Sequence, residues 1–119
     1  MNWGRSGGGS KLRRSPAVTG TTTNTYVAAV SRDIGTAVHY VAVIENTGNY
    51  TMNVDVDVEH ADPAAAQDNQ YQNFPKTIAP GNYGVVRASL GYALFEIKVQ
   101  SNVAGNHTTY SITQQLLRT

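Results

Sequence analysis

Residues 36–60 read TAVHYVAVIENTGNYTMNVDVDVEH. The second half of this stretch alternates: Met52, Val54, Val56 and Val58 fall on one side, and Asn53, Asp55, Asp57 and Glu59 on the other. A period of two is that of a strand with one face in the core and one in water. The first half, Thr36 to Glu45, has apolar side chains at both parities, as a central strand of a sandwich does. Between them lies N-T-G-N at 46–49. Asparagine and glycine tolerate the positive φ of tight turns. The pattern predicts two strands joined as a hairpin, with Gly48 at positive φ.

Working outward, the same signals recur. Thr25 to Ser31 reads as a strand, and Lys76 to Ile78 as a short one. A-P-G-N at 79–82 is a turn in which proline sets one φ and glycine supplies the next special dihedral. Tyr83 to Leu90 and Tyr92 to Gln100 follow. In the latter, Ala93, Phe95, Ile97 and Val99 share one face. Ala104 to Asn106 is a further turn, and His107 to Leu117 is the last strand, with Tyr110 and Ile112 inward. Residues 61–75, ADPAAAQDNQYQNFP, do not alternate. One helical turn capped by Asp62, with Pro63 at its first position, and a long loop are both open readings. About seven strands with frequent turns predict an all-β sandwich. Its expected core is Val41, Val43, Val54, Val56, Phe95, Ile97 and Val99.

Composition agrees. The chain has 119 residues, of which 40% are hydrophobic and 14% charged. That is one domain with enough apolar material for a core. There is no cysteine, which excludes disulfides, thiolate nucleophiles and cysteine metal sites, and points to folding in the cytosol. The N-terminal charges are not followed by the apolar run of an export signal. No segment approaches the roughly 20 apolar residues of a membrane span.

Charge is divided unevenly. Residues 1–16, MNWGRSGGGSKLRRSP, hold four basic groups and no acid, while 17–119 hold five basic groups and eight acids. The two parts therefore carry +4 and −3. The expected organisation is an extended basic Gly/Ser-rich arm over 1–16 and a β-sandwich domain over 17–119.

VAVIENTGNYTMNVDVDV (41–58), TIAPGNYGVV (77–86) and YALFEIKVQSNVAGN (92–106) together resemble an immunoglobulin-like domain of the CARDB or fibronectin-like kind. The resemblance covers roughly residues 37–105 and implies a fold, not a function. The layout as a whole, a cysteine-free sandwich with a Gly/Arg-rich arm, resembles the cement or decoration proteins of tailed-phage capsids. That resemblance implies a structural protein of the virion, made in the host cytoplasm. Its partner would be the major capsid protein or another subunit of a large assembly, with contacts between its own copies.

Residue by residue, the chemistry points to binding rather than catalysis. Asp55, Asp57 and Glu59 share a strand face with Asp62 just beyond, but without the glycine and ligand spacing of a calcium loop. They read as a solvated face. His39, His60 and His107 show no metal-ligand spacing. No G-x-S-x-G and no phosphate-binding loop occurs. Asn49-Tyr50-Thr51 and Asn106-His107-Thr108 match the N-glycosylation pattern and read as chance matches in a chain rich in asparagine and threonine. No catalytic residue, metal or cofactor is expected. The expected partner-binding residues are Trp3, Arg5, Lys11, Leu12, Arg13 and Arg14 of the arm, with Tyr71 and Phe74 as an exposed aromatic pair. Four cations without a basic patch in the body do not make a nucleic-acid footprint. The competing reading is a surface- or carbohydrate-binding module using the face around Asp55 to Glu59 or the 61–75 loop. A small hydrolase is third, with no motif in its favour.

Overall fold

The computed structural model describes residues 11–33, 39–60, 74–89 and 92–118. Eight strands follow in order: β1 Lys11–Thr21, β2 Val27–Asp33, β3 His39–Asn46, β4 Met52–His60, β5 Lys76–Ile78, β6 Tyr83–Ser89, β7 Tyr92–Ser101 and β8 Thr109–Arg118. They form two four-stranded sheets, β1-β8-β3-β6 and β2-β7-β4-β5, with every pairing antiparallel. The chain is thus an all-β sandwich. Most consecutive strands lie in opposite sheets, and β1 and β8 are neighbours: this is the jelly-roll arrangement. Among the described residues there is no helix long and apolar enough to cross a membrane.

This connectivity overturns the hairpin. β3 pairs with β6 and β8, whereas β4 pairs with β5 and β7. N-T-G-N is therefore a crossover from one sheet to the other. Turn residues bend the chain equally well in both cases, so their chemistry could not distinguish the two. Gly48 is required by close approach rather than by positive φ. A Cβ there would collide with Thr108 Oγ1 and lie 2.6 Å from the Thr109 backbone nitrogen. Positive φ occurs instead at Gly81, where φ is 79°, in the predicted A-P-G-N turn. That turn is closed by Asn82 N–H donating to the Ala79 carbonyl at 3.0 Å.

The eighth strand is the one not expected. Lys11 to Pro16 lie in β1, not ahead of the sandwich, and Lys11 to Ser15 pair in register with Arg118 to Gln114. The backbone of the expected arm thus enters the sheet at residue 11. The register shifts between Ser15 and Val18, around Pro16. Proline cannot donate to a ladder and is tolerated on an edge strand at such an irregularity.

The core lies between the sheets. β4 contributes Met52, Val54, Val56 and Val58, and β7 contributes Phe95, Ile97 and Val99, as the alternation predicts. From β3 the buried side chains are Tyr40, Ala42 and Ile44. Val41 and Val43, assigned to the core from sequence, are half-buried on the other face. With apolar residues at both parities, pattern alone could not orient this strand. β8 adds Tyr110, Ile112 and Leu116, and β6 adds Val86.

Tyr40 ties the two layers together. Its ring meets Phe95 at 5.3 Å between centroids, and its hydroxyl donates to Gln114 Oε1 at 2.7 Å. Burial pushes its phenol up to about 12, against the opposing charge of Arg32. The unfolded chain ionises this group near pH 10. The stability that Tyr40 contributes is therefore complete below about pH 10 and is lost as pH rises towards 12, on the order of 2–3 kcal/mol. Burial shifts Tyr26 and Tyr110 upward too. Urea unfolding at successive alkaline pH values should show this loss, and Tyr40→Phe should make it shallower without abolishing it.

Candidate functional site

Antiparallel pairing gathers four connections at one end of the sandwich: 22–26, 47–51, 79–82 and 102–108. The residue that organises them is Asn46, the last of β3, which is 0% exposed. Its side-chain Nδ2 donates to the carbonyls of Tyr50 at 2.7 Å and Ile78 at 2.8 Å. Its Oδ1 accepts from Gly48 N–H at 3.1 Å and from Thr108 Oγ1 at 2.8 Å. Its backbone bonds Asn82 and Gly81. One side chain thus fixes three loops that are distant in sequence, and every hydrogen-bonding position of its amide is used.

A second buried chain lies beside it. Thr108 N–H donates to Thr22 Oγ1 at 2.9 Å, Thr22 Oγ1 and Ser101 Oγ are 2.8 Å apart, and Ser101 Oγ lies 2.8 Å from His107 Nδ1. A serine–histidine contact invites a nucleophile reading. Here, however, Ser101 is only 4% exposed and its hydroxyl is shared with Thr22. The contact serves as a lock between β7, β8 and the segment after β1. Sequence spacing gave no hint of it.

Between these fixed loops lies a cleft of about 260 Å³. Its walls are Asn49, Tyr50 and Thr51 from the crossover, Pro80 from the second turn, and Asn102, Val103 and Asn106 from the third. Tyr50 is 47% exposed and Val103 54%. Both asparagines of the two N-glycosylation patterns line it. Asn102 N–H donates to the Thr51 carbonyl at 3.3 Å, and Asn106 N–H to the Val103 carbonyl at 3.0 Å, so the walls are joined through backbone.

Of the residues expected to bind a partner, five fall among the described residues. Trp3, Arg5 and Tyr71 lie outside the described residues. Lys11, Leu12, Arg13 and Arg14 are in β1, opposite Arg118, Leu117, Leu116 and Gln115, and Arg14 is exposed. Phe74 is 7% exposed and belongs to the core, with Lys76 Nζ 4.8 Å above its ring. Phe74 is therefore not exposed: its ring belongs to the buried core.

On the outer face of the second sheet, Asp57 Oδ2 pairs with Lys98 Nζ at 2.7 Å. The hydrogen bond to Asp57 is the first of the causes that raise Lys98. Asp55 Oδ1 accepts from Val56 N–H at 2.9 Å, and Asn53 Nδ2 donates to Gln100 Oε1 at 2.9 Å. This is a solvated strand face with its own internal partners. Among the described residues, no three histidine, aspartate or glutamate side chains come together as a metal-ligand set.

No family model matches the chain, and no curated protein matches it in sequence. Among solved structures it is similar to a chain of Bacillus endospore appendages, described as a family of disulfide-linked pili. The TM-score is 0.54 at 9% identity, over 96% of this chain and 95% of that one. A chain of infectious bursal disease virus, strain Gx, gives 0.48 at 8% identity; 91% of this chain covers 32% of that one, about a third of its length. A CBM22 xylan-binding domain of Paenibacillus barcinonensis gives 0.41 at 16% identity, over 93% and 81% of the two chains. What the first shows is that a pilus protein shares this fold.

Proposed function

We propose that this chain is a non-enzymatic structural subunit of a large protein assembly, joined to its neighbours through the segment that precedes β1. In the finer form of this reading the assembly is a virus particle, the chain decorates its surface, and the partner is the major capsid protein. The carrying observation is the position of β1. Among the described residues it pairs with β8 alone. Residues 1–10, with Trp3, Arg5 and the GGGS run, immediately precede β1, and an edge strand is a place where a sheet can pair with another subunit.

Two further observations support it. Val41, Val43 and Val85 are half-buried on the outer face of the same sheet, with Val43 directly opposite Val85, an apolar stripe that suits packing between subunits. A sandwich of this kind also serves in pili. Those pili are disulfide-linked; with no cysteine, this chain cannot use that link. Ordering the segment costs about 1 kcal/mol per residue, so the contacts must be extensive or repeated over many copies.

Sedimentation velocity tests this. The full chain should form higher species with increasing concentration. The chain lacking residues 1–10 should sediment as a monomer and melt with the parent. A full chain that stays monomeric at every attainable concentration, or a truncated one that assembles as well, would overturn the reading. Removing 1–16 is a different experiment, because it also strips Lys11 to Ser15 from β8 and should lower Tm.

A further inference from the structure

The cleft at the connected end has no part in the assembly reading, yet its lining is chemically selective. We propose that it is a binding site for a neutral saccharide. Its polar groups are the amides of Asn49, Asn102 and Asn106, with the hydroxyls of Tyr50 and Thr51 beside them. None of the three asparagine side chains has a hydrogen-bond partner among the described residues, in contrast to Asn46, Asn53 and Asn24, whose amides are engaged. Its apolar surfaces are the Tyr50 ring, Pro80 and Val103. Among the described residues, no charged side chain lines it.

A ligand that fits this set carries no charge, presents hydroxyls that both donate and accept, and has an apolar C–H face. A pyranose ring does all three. Each amide offers a donor and an acceptor on one group, and an exposed tyrosine ring offers a flat apolar platform at small entropic cost. A volume of about 260 Å³ falls just below the usual range of about 300–1,000 Å³ for drug-sized ligands, and so suits a single ring open to solvent.

The walls are also held in place before any ligand arrives. Asn46 fixes the carbonyl of Tyr50 and both flanking loops from beneath. The Asn102–Thr51 backbone bond joins the two sides. A site that need not reorganise spends less of its contact energy on ordering.

The test is a titration of the full ¹⁵N-labelled chain with glucose, galactose, mannose and N-acetylglucosamine, followed by heteronuclear NMR. At least one sugar should give saturable shifts of the Asn49, Asn102 and Asn106 side-chain amides, with Kd of about millimolar order for so small a ligand. Tyr50→Ala should weaken binding about tenfold or more, Tyr50→Phe should preserve it, and both should melt with the parent, since this ring lies outside the core. Three results would overturn the proposal: no saturable shift with any of the four sugars, Tyr50→Ala binding as the parent does, or the same amides responding to the tripeptide Gly-Asn-Gly but to no sugar. None of them touches the assembly reading, which is decided by sedimentation.

Discussion

Val56→Asp should leave the chain unfolded at room temperature. Val56 is fully buried and sits opposite Ile97 of β7 at the middle of β4. A carboxylate there would face apolar side chains from both sheets and have no partner. An unpaired buried charge costs more than about 4–5 kcal/mol, comparable with the whole stability of a small domain, about 5–15 kcal/mol. Val56→Ala removes the same apolar contacts without the charge and should cost only about 2 kcal/mol. Circular dichroism and one-dimensional NMR separate the two variants directly. A Val56→Asp protein melting with the parent would mean that β4 faces the other way.

The second large effect is expected at Asn46, a polar residue in what looks from sequence like a surface turn. Asn46→Ala removes four side-chain hydrogen bonds and strands the Ile78 carbonyl in a buried site. At about 1 kcal/mol for each bond, more where a buried group is left unpaired, the loss should reach about 4 kcal/mol. Asn53→Ala, which removes one bond on the solvated face, should cost less than about 1 kcal/mol. Chemical denaturation of the two variants measures the difference. Equal midpoints would mean that water replaces the asparagine amide and that the three loops do not depend on it.

These two residues mark what could be read from the sequence and what could not. β4 was legible because charge fills one parity and valine the other. β3 was not, because Val41 and Val43 are as apolar as Ala42 and Ile44, and only the packed sandwich decides which parity turns inward. β1 escaped for a different reason. An edge strand can be held by its backbone ladder, so Lys11 to Pro16 needed no alternation to enter the sheet. The importance of Asn46 was hidden because its partners come from residues 48 and 50 nearby but also from 78 and 108. No local pattern announces a contact made across that distance. The same holds for the cleft, whose walls come from three separate loops, and for the lock of Ser101 with His107, which closes only when Thr22 arrives from the other end of the chain.

The pairing of β1 with β8 also bears on the order in which the molecule folds. The partners in this ladder stand about a hundred residues apart in the chain, farther than in any other ladder, although closure cost rises by only about 0.6 kcal/mol for each doubling of loop length. The remaining strands can meet over shorter separations, and they supply almost all of the buried apolar side chains. The expected order is that β1 docks last, which pulse-labelled hydrogen exchange would check by protection of the β1 amides appearing after that of β3 and β7. On that order, the strand nearest the proposed point of attachment is the last part of the body to be fixed.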